Sequence, residues 1–347
     1  VDQAVILVGG QGTRMRPLTD TLPKPMLPLM GVPFVERQVD HLARAGVTRI
    51  VFSCGYRPRE IEEYFGNGAS RGLDVGYVVD PEPLGTAGAI ANAAPLLSDT
   101  DVFVLNGDIL TDLDLAALVA HHRALGAEAT IALTPVGDPS AFGLVRTDAD
   151  GRVTEFVEKP GPDQLVPGEP YRINAGTYVL SPGARAAIPP GVQVSIERDT
   201  FPLLAARGAV GALSSECYWR DIGTPASYLD AHLDVLAGLV GFIPSPGTAW
   251  ISDGAHIDPT AVIGEGACVA PGASVGPGAR VSHAILGTGC LVGEGACVEG
   301  AVLGRDVIVE PRAEVIGMVV AGDGSTVPAG LHLAGPADVP TGSVASA

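Results

Sequence analysis

Apolar residues along this chain follow two different periods, and the change from one to the other falls near residue 240. Before it, short apolar runs alternate with amphipathic ones. Residues 5–8, 49–53, 75–79 and 102–105 are compact apolar runs that read as buried strands, while residues 34–45 and 86–97 carry the spacing of helices. That alternation predicts an α/β fold, a Rossmann-like, mostly parallel sheet sandwiched by helices, in which ligands bind at the carboxyl ends of the strands. Three polar, glycine-bearing segments fall at such ends: the loop after Val8, residues 80–88, and Asn106-Gly107-Asp108.

After residue 250 the period becomes six. Ile251, Ile257, Ile263, Val269, Val275 and Val281 recur at that interval, and the phase then slips through Leu286, Val292, Val298, Leu303, Val309, Val315 and Val320. The slips predict a coil of 17 residues with three faces, the hexapeptide repeat of a parallel β-helix, with Gly, Asp and Pro at its turns. Pro, Gly and Ser collect at residues 238–248 and mark a linker. The predicted organisation is an α/β domain at 1–236, a linker at 237–250, a β-helix at 251–332 and a disordered tail of small and polar residues at 333–347.

Composition narrows the range of partners. Across 347 residues the formal charge is −18, which argues against binding nucleic acid or an anionic membrane. Five cysteines form no CxxC pair and leave an odd count, so neither a disulfide framework nor a zinc site is expected, and a reduced cytoplasm fits. No apolar run approaches the ~18 residues of a membrane span. Cys268 and Cys297 directly precede inward valines and read as coil residues with no basic neighbour to activate them. Lysine occurs only twice, at Lys24 and Lys159, in a chain with 21 Lys and Arg together. In an arginine-rich composition, two retained lysines point to sites where a compact ammonium is needed rather than any cation.

Lys24 closes the segment GGQGTRMRPLTDTLPKP, which follows the first predicted strand. Gly9, Gly10 and Gly12 allow the backbone N–H groups to approach a polyanion, and Arg14, Arg16 and Lys24 supply positive charge. No Lys-Ser or Lys-Thr follows, so the segment is not the common phosphate loop of nucleoside triphosphatases, and Met15 interrupts a dinucleotide fingerprint. The composite resembles the signature of the sugar-nucleotide pyrophosphorylases, the NDP-sugar nucleotidyltransferases.

The resemblance extends over nearly the whole chain and implies site residues and a left-handed β-helix. Leu7, Gly9, Gly10, Gly12, Thr13 and Arg14 would contact the nucleotide, together with Asp80, Gly85, Thr86 and Asp108. Residues 80–88 look like the family's base-recognition loop; they also read as a proline-rich connection in which Thr86 caps a helix. Asp108 and Asp221, the latter in Tyr218-Trp219-Arg220-Asp221-Ile222-Gly223, resemble metal-binding aspartates that would share one Mg²⁺ with phosphate oxygens. Gly143, Glu158, Asn174 and Gly176 would hold the sugar, and Lys159 its phosphate. Arg14, Lys24 and Lys159 would be the catalytic cations. Ser195-Ile196-Glu197-Arg198-Asp199 is also familiar in the family, but its residues read as a Ser cap and an acidic first turn.

The implied reaction joins a nucleoside triphosphate to a sugar 1-phosphate and releases pyrophosphate. LGTAG, INAGTYVL, SIERDTFP and YWRDIGTP look most like bacterial mannose-1-phosphate guanylyltransferases, so GTP and mannose 1-phosphate are the expected partners. An acidic Asp80 or Glu82 suits the adjacent donors of guanine better than a pyrimidine. Glucose 1-phosphate with UTP or dTTP and a cyclitol phosphate are the alternatives. Two further classes are a non-catalytic regulatory subunit and an acyltransferase using His256 or His283. The β-helix is expected to assemble a homo-oligomer.

Overall fold

The computed structural model describes residues 1–346 apart from Tyr56, Pro81, Pro167 and Glu169. Pro81 of the base loop and Ala347 of the expected tail thus lie outside the described residues. The chain divides into two compact units, one formed by Val1–Gly10 and Gln38–Trp219, the other by Gln11–Arg37 and Arg220–Ala347.

The first unit is built on a nine-stranded sheet. Its parallel half runs in the order Val102–Asn106, Gln3–Val8, Arg49–Cys54, Asp74–Val79. Val5, Ile6, Ile50, Val51 and Val104 are fully buried, because a parallel sheet is covered on both faces, and this is why the strands read as unbroken apolar runs. The other half is antiparallel: Tyr171–Leu180 pairs with Ala129–Val136 on one side and, on the other, with Val102–Asn106 and, at Ile173, with Gly143–Thr147. Val153–Glu158 extends it, and Val210–Ser214 lies parallel on Ala129–Val136. The helix expected over 86–97 is an α-helix only over Gly85–Ala93 and tightens to a 3₁₀ turn at Ala94–Leu96. Pro95 accounts for the change, since it lacks the N–H that would continue the α-helix.

In the second unit, two- and three-residue strands from Trp250–Ile251 to Ala337–Val339 stack in three sheets of six, five and five, paired in parallel throughout. Strand register corrects the expected repeat. Val269 pairs with Leu286, and Leu286 with Leu303, at 17 positions, but Ile251 pairs with Val269, Leu303 with Ala321 and Val315 with Leu333 at 18. The short coils lose a residue at the corner after the third strand, where His283 and Gly300 take left-handed conformations (φ 45° and 67°). By residue 319 the longer corner is restored, so Ala321 stacks on Leu303 and Val320, expected to point inward, pairs with Val302 instead.

The disordered tail expected from residue 333 is also overturned. His332–Ala334 and Ala337–Val339 add strands to two of the sheets, Val344 bridges to Thr326, and Val339 is buried. A coil needs one inward aliphatic residue in six, so its composition differs little from that of a loose tail.

The second unit takes in Gln11–Arg37 as well as the chain from Arg220 onward. One face of the β-helix explains why. Cys268, Ile285, Val302 and Val320 are at most 6% exposed, whereas Val262 and Leu291 on the other faces are 57% and 46% exposed. Gly31 is packed against the Trp250 ring, Gly266 against Leu233 and Gly322 against Pro17, so the loop and the helix Pro225–Leu236 roof this face. The Tyr228 hydroxyl of that helix donates to the Pro28 carbonyl. The linker is packed as well, with Val240 and Ile243 buried and the Ser245 hydroxyl donating to Leu236 O at 2.5 Å.

Candidate active site

In the first unit the three glycine-bearing segments do leave the carboxyl ends of the parallel strands. Val8, Cys54 and Val79 lie in register, with Leu7 opposite Asn106. Gly9 packs on Gly55: a Cβ on Gly55 would lie 2.7 Å from Gly9 O. Gly107 N donates to Leu7 O at 2.9 Å, and a Cβ there would strike the same carbonyl at 2.6 Å. Gly55 and Gly107 are therefore required by backbone contact, while a Cβ on Gly9 would make ordinary contact and Gly10 has open space around it. Gln38, buried on the helix Phe34–Arg44, donates to Asn106 O and Ile109 O and so fixes the turn that carries Asp108.

Asp80 follows its strand directly; its N donates to Cys54 O and its carboxylate accepts from Asn92 at 2.8 Å. Burial raises the Asp80 pKa above the usual carboxylate range, and the Asn92 bond opposes that shift. Glu82, the other acidic residue of the loop, is exposed. Gly85 takes φ 70° and meets the Val194 carbonyl so closely that a Cβ would lie 2.6 Å from it. Thr86 is no helix cap. Its hydroxyl accepts from Ile196 N and donates to Glu197 Oε2, both at 2.8 Å.

Glu197 is the residue that sequence reasoning assigned only to a helix start. Ser195 does cap that start, accepting from Arg198 N, but the helix opens with a π turn over Ile196–Thr200, and the Glu197 carboxylate faces inward. It also accepts from the Tyr178 hydroxyl at 3.4 Å, and Tyr178 in turn accepts from Asn174 Nδ2 at 2.8 Å. Asn174 Oδ1 receives Gly176 N, and Gly176 (φ 69°) approaches Asn106 so closely that a Cβ would lie 2.9 Å from Nδ2. A continuous polar chain thus joins Thr86 of the base loop to Asn174 and Gly176, and ends beside Asn106, two residues before Asp108. The signal that could have found Glu197, Tyr178 and Gln38 is polarity inside otherwise apolar segments.

Gly143 and Glu158 are register partners, and a Cβ on Gly143 would lie 2.9 Å from Glu158 Oε2. Burial, with Glu197 close by, holds the Glu158 carboxyl above its usual range. Lys159 follows with φ 53°, its N bonded to Phe142 O and its side chain exposed. Phe142 stacks edge-on against Trp219, whose indole N–H donates to Ala175 O.

The second unit holds the remaining cations. Gly12 (φ 62°) abuts Lys24 Cβ and Thr19, and the Thr19 hydroxyl donates to Gly12 O. Thr13–Met15 and Lys24–Met26 are single 3₁₀ turns. A point beside Gly223 lies 2.9 Å from Arg14 Nη2 and 3.0 Å from Asp221 Oδ1, so Arg14 and Asp221 converge there.

Among the described residues no three His, Cys, Asp or Glu side chains cluster as a metal cage. Asn106 Oδ1 is nevertheless buried without a hydrogen-bond partner among the described residues, two positions from Asp108. An oxygen-only donor set that is incomplete in itself suits a hard divalent cation sharing phosphate oxygens and water. The five cysteines are free thiols, and burial pushes Cys54, Cys268 and Cys290 up to about 12, which leaves them inert. His256 lines a shallow groove of the β-helix with Ser274, Leu291 and Ile308, and no residue assigned to a substrate lies in it. No helix among the described residues is long and apolar enough to cross a membrane.

Comparison with known proteins adds an independent view. The nucleotidyl transferase family matches residues 3–238, and the GMPPB C-terminal domain family matches residues 246–346. The mannose-1-phosphate guanylyltransferase of Mycobacterium tuberculosis is 42% identical over 271 residues, covering 75% of this chain and 72% of that protein. The mannose-1-phosphate guanylyltransferase catalytic subunit beta of Danio rerio is 36% identical over 272 residues, covering 76% and 73%. Among solved structures, HddC from Yersinia pseudotuberculosis, complexed with GMP-PN, matches with a TM-score of 0.57 and 31% identity over 67% of this chain and 98% of that one.

Proposed function

The chain belongs to the nucleotidyl transferase family, and from that premise we propose that it makes GDP-mannose and pyrophosphate from GTP and mannose 1-phosphate. The observation that carries the substrate pair is the 42% identity to the M. tuberculosis mannose-1-phosphate guanylyltransferase. Asp80 supports the same base, because one carboxylate accepts from both N1–H and the 2-amino group of guanine.

A phosphate oxygen of the sugar phosphate attacks the α-phosphorus of GTP in line; the new P–O bond forms as the bond to the β-phosphate oxygen breaks, and pyrophosphate leaves with that electron pair. Two anions must be brought together, so the protein contributes position and positive charge. Arg14 and Lys24 neutralise the triphosphate and the leaving pyrophosphate, with the Gly9, Gly10 and Gly12 backbone, Leu7 and Thr13 along its path. Lys159 holds the acceptor phosphate, while Glu158, Asn174, Gly143 and Gly176 take the mannose hydroxyls. Glu197 and Tyr178 position Asn174. Asp108 and Asp221 are assigned to one Mg²⁺, which when bound would orient the triphosphate and offset its charge. The free cysteines support a cytoplasmic setting, and the exposed Val262, Leu291 and Ile308 support assembly of copies through the β-helix.

The test is a matrix of GTP, dTTP, UTP, ATP and CTP against mannose 1-phosphate, glucose 1-phosphate and a cyclitol phosphate, scored by kcat/KM with and without EDTA. GTP with mannose 1-phosphate should lead by about tenfold or more, as expected where a charged partner meets a buried donor pair. EDTA should abolish turnover. A lead for UTP or dTTP overturns the base assignment, and full activity in EDTA overturns the metal.

A further inference from the structure

Between Arg14 and Lys24 the loop rests on the last coils of the β-helix through a small set of polar contacts. Asp323, with a side chain only 16% exposed, accepts from the Thr21 hydroxyl at 2.5 Å, from Arg305 N at 2.7 Å and from Arg305 Nε at 2.8 Å. Arg305 Nη2 donates back to Thr21 Oγ1 at 3.0 Å, which closes a three-membered ring of contacts. One residue earlier in the loop, the Thr341 hydroxyl donates to Asp20 Oδ2 at 3.1 Å, and Arg16 pairs with Asp20 at 3.5 Å. Gly322 leaves no room beneath Pro17: a Cβ there would lie 2.9 Å from Pro17 Cβ and 2.7 Å from Thr341 N. These partners are 284 to 321 positions apart in sequence, so local propensity does not produce them.

We propose that Thr21, Asp323 and Arg305 are positioning residues for the nucleotidyl transfer, and that the β-helix serves the reaction by holding the segment that presents Arg14 and Lys24. The proposal rests on the assignment of those two cations to the triphosphate. Among the described residues the loop has only short 3₁₀ turns and no sheet partners beyond the two-residue hairpin Pro28–Leu29 and Val32–Pro33. Without an external anchor it would sample many conformations, and cations that act on developing charge lose most of their effect when misplaced by about 1 Å. The ring of contacts at Asp323 supplies an anchor midway between the two cations. A loose loop still attracts the triphosphate by charge, so the loss should fall on kcat rather than on KM.

The experiment uses the full chain and compares wild type with Thr21→Val, Thr21→Ser, Asp323→Ala and the double variant Thr21→Val/Asp323→Ala. Each is read by steady-state kinetics, thermal midpoint and hydrogen exchange of peptides covering residues 11–27. Thr21→Val should lower kcat about tenfold, with both KM values within about twofold, an unchanged thermal midpoint and faster exchange in those peptides. Thr21→Ser should restore kcat to within about twofold. Asp323→Ala should match Thr21→Val, and the double variant should lose no more than either single change, as expected for one coupled unit. Unchanged kcat and exchange in Thr21→Val overturn the inference, as does a loss that Thr21→Ser fails to restore. A wild-type chain that forms no NDP-sugar overturns the underlying reading instead, and the exchange arm then decides whether the β-helix anchors the loop.

Discussion

Lys24 and Lys159 are held in opposite ways. Lys159 directly follows a strand whose register sets it: Glu158 pairs with Gly143, the next amide donates to Phe142 O, and the backbone takes φ 53° as it leaves the sheet. Lys24 sits in a segment of short turns, where a Cβ on Gly12 would lie 3.0 Å from its own and distant coils of the β-helix fasten the intervening residues. Neighbouring strands place the first cation; a second repeat domain places the other. A group placed by a sheet tolerates changes around it, because many backbone bonds share the constraint, whereas a loop anchored by a few side chains concentrates its constraint in them.

The two lysines should respond differently to the same conservative change. Lys24→Arg should lower kcat by about 10² or more with little change in stability, because a planar guanidinium does not replace a compact ammonium at a crowded phosphate. Lys159→Arg keeps a cation on an exposed, sheet-fixed site and should mainly raise the KM for mannose 1-phosphate, by about tenfold, with a smaller effect on kcat. Steady-state kinetics of both variants decide this; matching losses in the same parameter would break the contrast.

The same division explains what could be read from the sequence. Strand periodicity located the parallel sheet because burial on both faces writes itself into consecutive residues such as Val5 and Ile6. The six-residue repeat located the β-helix, but not the 18-residue coils, since the corner after Ser282 differs from the one after Ile316 by a single residue. The motifs at Asp80, Asn106-Gly107-Asp108 and Gly143 were legible because each ends or begins a strand. Thr86, Tyr178 and Glu197 form one network across more than a hundred residues, and no local pattern reports such a contact. The attachment of residues 11–37 to the β-helix was hidden for the same reason: Pro17, Thr21 and Gly31 look like loop residues until their partners are known.

A smaller effect separates the units by pH. His232, fully buried on the helix that roofs the β-helix, is held by desolvation at about 4, against an ordinary 6.5. Its folded pKa is depressed, so the folded state binds fewer protons than the unfolded one, and stability present above pH ~6.5 is lost as pH falls towards 4. The loss is on the order of 2–3 kcal/mol, and it should be felt in the second unit. Thermal melts from pH 7 to pH 4 should show the decline, and His232→Gln should flatten it. An equally steep decline in that variant would move the acid sensitivity elsewhere, with the buried His122 of the first unit as the next group to change.

Central to this account is a direct displacement, in which the sugar phosphate attacks GTP and no residue becomes nucleotidylated. Pyrophosphate exchange measures that step. Labelled pyrophosphate incubated with the protein, Mg²⁺ and GTP alone should put no label into GTP, and adding GDP-mannose should start incorporation through reversal of the reaction. Incorporation in the absence of mannose 1-phosphate or GDP-mannose would require a covalent nucleotidyl-enzyme and would contradict the account.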